Sequence, residues 1–218
     1  FGQLALDAAQ QRLFVVVTGS NSLLAIDLQK DVISERVTGL NSPLGVAYLP
    51  SDQVAVSASG NGAIGFYTAA TFNRRASLIF GSDAGALYFD PGSKKLYLGY
   101  GRARHAGIAV LDVTGTPLTQ LATPDQPQAL VVDPLRQRLY AGFSSANAIR
   151  VFDLATGKRI ADWSLGEGSG ASYPLALDGD GKRLFIGGRS GDELGVLDTQ
   201  SGKLLQTLLP PPGDLSPG

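Results

Sequence analysis

A block of about 43 residues recurs five times along this chain of 218, and a repeat of that length restricts what the chain can fold into. Its clearest copy runs Ala129–Gly142 and then Ala148–Lys158, and a second copy runs Ala176–Gly187 and then Leu194–Lys203. An Asp closes the first strand of the block at Asp7, Asp90, Asp133 and Asp178, and Leu49-Pro50 takes its place in a degraded copy. A second Asp closes the third strand at Asp27, Asp112, Asp153 and Asp198, with Tyr67 as the expected degraded member. One repeat of this kind cannot bury both its faces alone, so neighbours must stack.

Each copy reads as four short strands. Alternating or wholly apolar runs such as Gly45–Leu49, Leu96–Gly99 and Leu139–Gly142 are rich in β-branched and aromatic residues, which suit a strand packed on both faces. Tight turns follow at Asp90–Lys95, Asp133–Arg138 and Asp178–Arg183, where Pro and Gly set the dihedrals and Asp bonds backbone amides just downstream. Gly157 supplies the positive φ for the turn after the third strand. No segment holds a helical period beyond about two turns. The expectation is an all-β protein, a β-propeller of four-stranded antiparallel blades, with blades near 1–39, 40–80, 81–122, 123–165 and 166–209 forming one array over 1–209. Residues 210–218, rich in Pro and Gly, read as a tail or linker.

Composition narrows the partners. Eighteen basic residues against 19 acidic ones leave a net charge of −1, without the basic excess of a nucleic-acid binder. No apolar run is long enough to span a membrane as a helix. Cysteine is absent, which excludes disulfides, thiol nucleophiles, thiolate zinc sites and iron–sulfur clusters.

Lys94–Gly101, Arg138–Gly142, Ile149–Lys158 and Tyr173–Asp178 carry a resemblance to YVTN-type bacterial β-propellers, and among them to YncE-like proteins. The Gly-His and Trp-Asp signatures of WD40 repeats are missing; Asp162-Trp163 has the reverse order. The resemblance covers the chain to about Leu209. It implies an extracytoplasmic, periplasmic or secreted location and a ring of seven blades, so two further blades are expected outside the five repeats, with Phe1 opening inside a first strand. No cofactor is expected. Association with pyrroloquinoline-quinone pathways or DNA rests on the resemblance alone, and the charge balance does not favour DNA.

Function is expected on the loops between strands two and three and between blades. These vary among copies, whereas the Asp turns on the opposite rim repeat one solution. The most distinctive loop, Gly101–Gly107, carries Arg102, Arg104 and His105, the one His of the chain. Two Arg and a His suit a carboxylate or phosphate, although long side chains on a loop more often sit in water. Arg189 and Tyr173 lie in corresponding loops of the last blade and join the candidate ligand site. Asp83, Asp125 and Glu167 enter at blade starts, where three acids suit a cation; turn capping is the commoner role. Two look-alikes fall away. Asp178-Gly-Asp-Gly lacks the twelfth-position Glu of a calcium loop, where Arg189 stands, and Gly166–Gly170 precedes no helix able to hold a phosphate.

The expected function is a non-catalytic binding or scaffold module whose loop rim and central channel hold a small molecule, peptide or protein. The alternative is a metal-dependent propeller hydrolase or lactonase, in which the acids with Asn21, Asn41, Asn61 and Asn147 hold a metal that activates water.

Overall fold

The computed structural model describes residues 2–81, 83–102, 105–165, 174–187 and 193–209. They form five antiparallel sheets of four strands in the β-propeller class, with a 3-10 segment at Thr18–Ser20. Blade 1 is β1 (Leu4–Asp7), β2 (Arg12–Val17), β3 (Ser22–Asp27) and β4 (Val32–Val37). Blade 2 is β5 (Pro43–Leu49), β6 (Gln53–Ala58), β7 (Ala63–Thr68) and β8 (Arg74–Ile79). Blade 3 is β9 (Ala84–Asp90), β10 (Lys95–Tyr100), β11 (Gly107–Leu111) and β12 (Pro117–Ala122). Blade 4 is β13 (Ala129–Asp133), β14 (Arg138–Phe143), β15 (Ala148–Asp153) and β16 (Arg159–Ser164). Blade 5 is β17 (Leu175–Leu177), β18 (Arg183–Gly187), β19 (Leu194–Asp198) and β20 (Leu204–Leu208). Two compact units divide the chain, blades 1 to 3 within Phe1–Pro127 and blades 4 and 5 within Gln128–Gly218.

In the first unit the faces of successive blades pack as apolar layers. Phe14, Val16, Leu23 and Ala25 of blade 1 meet Val46, Val54 and Val56 of blade 2. Ala47, Leu49, Ile64 and Phe66 of blade 2 meet Leu87, Leu96, Leu98 and Leu111 of blade 3. On the opposite face of blade 1, Leu4 and Leu6 are 60% and 55% exposed. The innermost strands are knitted together by side chains. Gln3 Nε2 donates to the Leu87 carbonyl at 3.1 Å, and Gln3 Oε1 accepts the Leu87 N–H at 2.9 Å. Buried Ser57 accepts the Gly45 N–H at 2.8 Å and donates to the Gly85 carbonyl. A Cβ on Gly45 would lie 2.6 Å from Ser57 Oγ, so this junction requires glycine there. In the second unit Tyr140 packs on Trp163, ring centroids 5.4 Å apart.

The Asp turns carry structure. Asp7, 2% exposed, accepts from Arg12 Nε at 3.0 Å and Nη2 at 2.7 Å and from the Gln10 N–H at 3.2 Å. Burial opposes its ionisation, but the hydrogen bonds from Arg12 and the Gln10 N–H, with the Arg12 charge, together outweigh it and hold its carboxyl below the usual 3.8. Asp133, equally buried, accepts from the Leu135 and Arg136 N–H groups at 3.0 and 3.1 Å. The turns also clamp neighbouring blades. Arg12 donates to the Ala69 carbonyl of blade 2 at 3.1 Å and pairs with Asp52. At the same repeat position Arg138 donates to the Thr199 carbonyl of blade 5 at 3.1 Å.

The register corrects one expectation from the sequence. Arg12 opposes Asp27 and Gln53 opposes Thr68, so Thr68, not Tyr67, stands where the other blades carry the second Asp. Its Oγ1 accepts the Asn73 N–H at 3.2 Å, which is the capping task of the missing carboxylate. Tyr67 turns into the core instead.

Candidate binding groove

Antiparallel pairing places the Asp turns at one end of each blade and the strand-two-to-three loops at the other. Beside that second rim, within the first unit, a groove of about 730 Å³ runs between the end of β8 and blade 3. Leu78, Ile79 and Phe80 form one wall; Tyr100, Gln120, Ala122, Pro117, His105 and Ala106 form the rest. The Phe80 and Tyr100 rings lie 5.2 Å apart, tilted by 40°. The Tyr100 hydroxyl donates to Gln120 Oε1 at 3.1 Å, and burial pushes its phenol up from the usual 10.0. Groove and loop are joined by backbone geometry. Gly101 has φ +88 and so close an approach to the His105 carbonyl that a Cβ would collide with it, while the His105 N–H donates to the Arg102 carbonyl at 3.1 Å. Glycine is needed there on both counts.

The register beside the groove carries different side chains in other blades. Tyr100 sits opposite Gly107, and Ala109 opposite Gln120. The equivalent positions in blade 4 are Phe143, Ala148, Arg150 and Asp162. There the Arg150 guanidinium lies 4.3 Å over the Phe143 ring and 3.4 Å from Asp162, with its side chain 13% exposed. Blade 5 carries Gly195 and Thr207 at this register. Both line a groove of about 80 Å³ with Ser164, Leu165 and Glu193.

The residues singled out from sequence distribute as follows. His105 is exposed and lines the larger groove. Arg102, with a side chain 77% exposed, pairs with Asp83, so a candidate anion ligand and a candidate cation ligand engage one another. An ion pair so exposed is worth under about 1 kcal/mol. The Asp83 carbonyl accepts the Gly101 N–H at 2.8 Å and Gln126 Nε2 at 3.0 Å. Asp125 accepts the Gln126 N–H on Oδ1 at 2.8 Å, a local capping bond. Asp83 and Asp125 are thereby linked through Gln126. Among the described residues, no group of three or more His, Cys, Asp or Glu is placed to hold a metal ion. Arg104, Arg189, Tyr173 and Glu167 lie outside the described residues, as does the tail. Sequence reasoning missed Phe80, Tyr100 and Gln120. Two are aromatics at strand ends, where they read as core, and a lone Gln on an outer strand carries no signal.

Fold and groove together describe a β-propeller of five four-stranded blades with a ligand-sized cleft between the second and third. No protein-family model matches this chain, and no curated protein matches it. Among solved structures it is similar to Kuenenia stuttgartiensis hydrazine synthase, with a TM-score of 0.82 at 15% sequence identity, over 92% of this chain and 64% of that chain. The chain therefore spans less than two thirds of that protein's length, and at this identity the likeness shows the fold.

Proposed function

We propose that this chain is a non-catalytic binding module whose site is the groove between β8 and blade 3. The observation that carries the reading is the groove itself. Its volume of about 730 Å³ is ligand-sized. It combines a tilted aromatic pair with three groups able to direct a ligand, the Tyr100 hydroxyl, the Gln120 amide and His105. A rigid scaffold that holds such groups at its variable rim suits recognition. The capping and pairing bonds of Asp125 and Asp83 favour binding over metal-assisted hydrolysis. The YVTN-type resemblance of the strands and turns motivates an extracytoplasmic location, again as our reading.

The test is a fragment screen by amide NMR on the whole chain, with small aromatic amides and acids as probes. Fragments are expected to shift the Tyr100, His105, Gln120 and Ala122 amides, and Gln120→Ala is expected to weaken them about tenfold. Hits confined to other surfaces, or metal-dependent turnover of lactones or esters by the purified protein, would overturn the reading.

A further inference from the structure

We infer that the groove takes an extended acidic peptide, which adds as a fifth strand to the free edge of β8; this rests on the groove being the binding site. β8 is the terminal strand of its sheet. The Phe80 N–H donates to the Gly62 carbonyl at 2.8 Å, and the pairing continues without a slip through Ile79–Ala63, Leu78–Ile64, Ser77–Gly65 and Ala76–Phe66. Antiparallel ladders alternate, so Leu78 and Ala76 direct their backbone groups at β7, while Ser77 and Ile79 present theirs at the open edge. That edge borders the groove, which Leu78, Ile79 and Phe80 line.

Outer strands usually guard their edges with charge or proline. β4 carries Glu35 and Arg36, β16 carries Arg159 and Asp162, and β12 opens on Pro117. β8 carries its charge at its start, Arg74 and Arg75, and its Ala76–Ile79 stretch beside the groove has neither charge nor proline. β20 carries no charge and borders the groove of about 80 Å³. Strand addition gives affinity through main-chain bonds and specificity through alternate side chains. Here one such side chain meets the Phe80–Tyr100 pair. Charge sets the rest: no Asp or Glu lines the groove, exposed Arg74 and Arg75 stand at the start of β8, and exposed His105 stands at the groove's rim. Acidic flanks on the peptide answer both ends.

The probe is a fluorescein-labelled heptapeptide, Glu-Thr-Val-Thr-Phe-Thr-Glu, beside a version N-methylated at alternate amides and a version with Lys for Glu. The discriminating variant is Ser77→Pro. The Ser77 N–H points away from β7, so proline removes an edge donor without breaking the ladder, a position where strands tolerate it. Ser77→Pro and N-methylation are each expected to weaken peptide binding at least about tenfold. Thermal midpoint and fragment binding at Tyr100 and Gln120 should stay unchanged in that variant. Arg74→Glu should invert the preference between the acidic and basic peptides. Equal affinity of the methylated peptide, or of Ser77→Pro for the parent peptide, overturns strand addition. Fragments in the groove with no peptide bound sink this inference and leave the binding reading standing. Neither fragment nor peptide at the groove sinks both.

Discussion

At one register of the repeat, blades 3 and 4 answer the same geometric problem differently. Blade 3 places Tyr100, Ala109 and Gln120 there and leaves a groove. Blade 4 places Phe143, Arg150 and Asp162 there, and the Arg150 side chain lies on the ring beside the carboxylate. Pairing of the third and fourth strands is the same in both, down to a bulge between them. The same register of the repeat thus carries different side chains on similarly paired strands. What varies is the face of a strand; what stays is the turn.

The largest effect is expected from breaking what stays. Arg12 and Arg138 occupy one repeat position and each clamps the following blade, but Arg12 also neutralises buried Asp7 and pairs with Asp52. Arg12→Ala strands a buried carboxylate and should cost about 3 kcal/mol. Arg138→Ala loses a backbone contact and should cost about 1 kcal/mol. Urea unfolding of the two variants checks the ratio, and equal losses would mean that the Asp7 pair adds nothing beyond the clamp.

A smaller effect tests the contrast between the two blades directly. Arg150→Ala gives blade 4 the small residue that blade 3 has at Ala109. Asp162 keeps Arg159 at 3.3 Å, so no buried charge is orphaned. The loss is the contact with Phe143 and the packing of the side-chain stem, about 1 to 2 kcal/mol. Opening of the register should appear as new fragment-induced shifts at Phe143. A cost below about 0.5 kcal/mol would mean that Arg150 is a bystander and that the blades differ for another reason.

These contrasts mark what the residues alone could tell. Strand order, blade count and the capping Asp turns were legible, because each is a local pattern written several times: Asp7, Asp90 and Asp133 all cap as their position demands. The single Tyr67-for-Thr68 slip arose in the degraded copy, where no Asp marks the place. The groove was not legible. It depends on Phe80 of one blade meeting Tyr100 of the next, a pairing set by how sheets stack rather than by any spacing along the chain. The Arg102–Asp83 pair was hidden in the same way: each residue was read as a ligand for something else, and the fold turns them on one another.

The most local effect separates blade 2 from the other four. In blades 1, 3, 4 and 5 the turn after the third strand is capped by a carboxylate. Lys30 holds Asp27 below the usual 3.8, and the hydroxyls of Thr114, Thr156 and Ser201 do the same for Asp112, Asp153 and Asp198. Blade 2 uses the Thr68 hydroxyl, which does not titrate in this range. A carboxyl depressed in the folded state stabilises above its unfolded value, and that contribution is lost as pH falls through the folded one. Between pH 5 and about pH 2, hydrogen-exchange protection should therefore fall at the Thr156 and Ser201 amides, which donate to Asp153 and Asp198 at 2.7 Å. Protection at the Asn73 amide, which donates to Thr68 Oγ1, should hold over the same range. If all three amides lose protection together, the blades open as one body in acid, and the carboxylate caps do not set the order in which their turns let go.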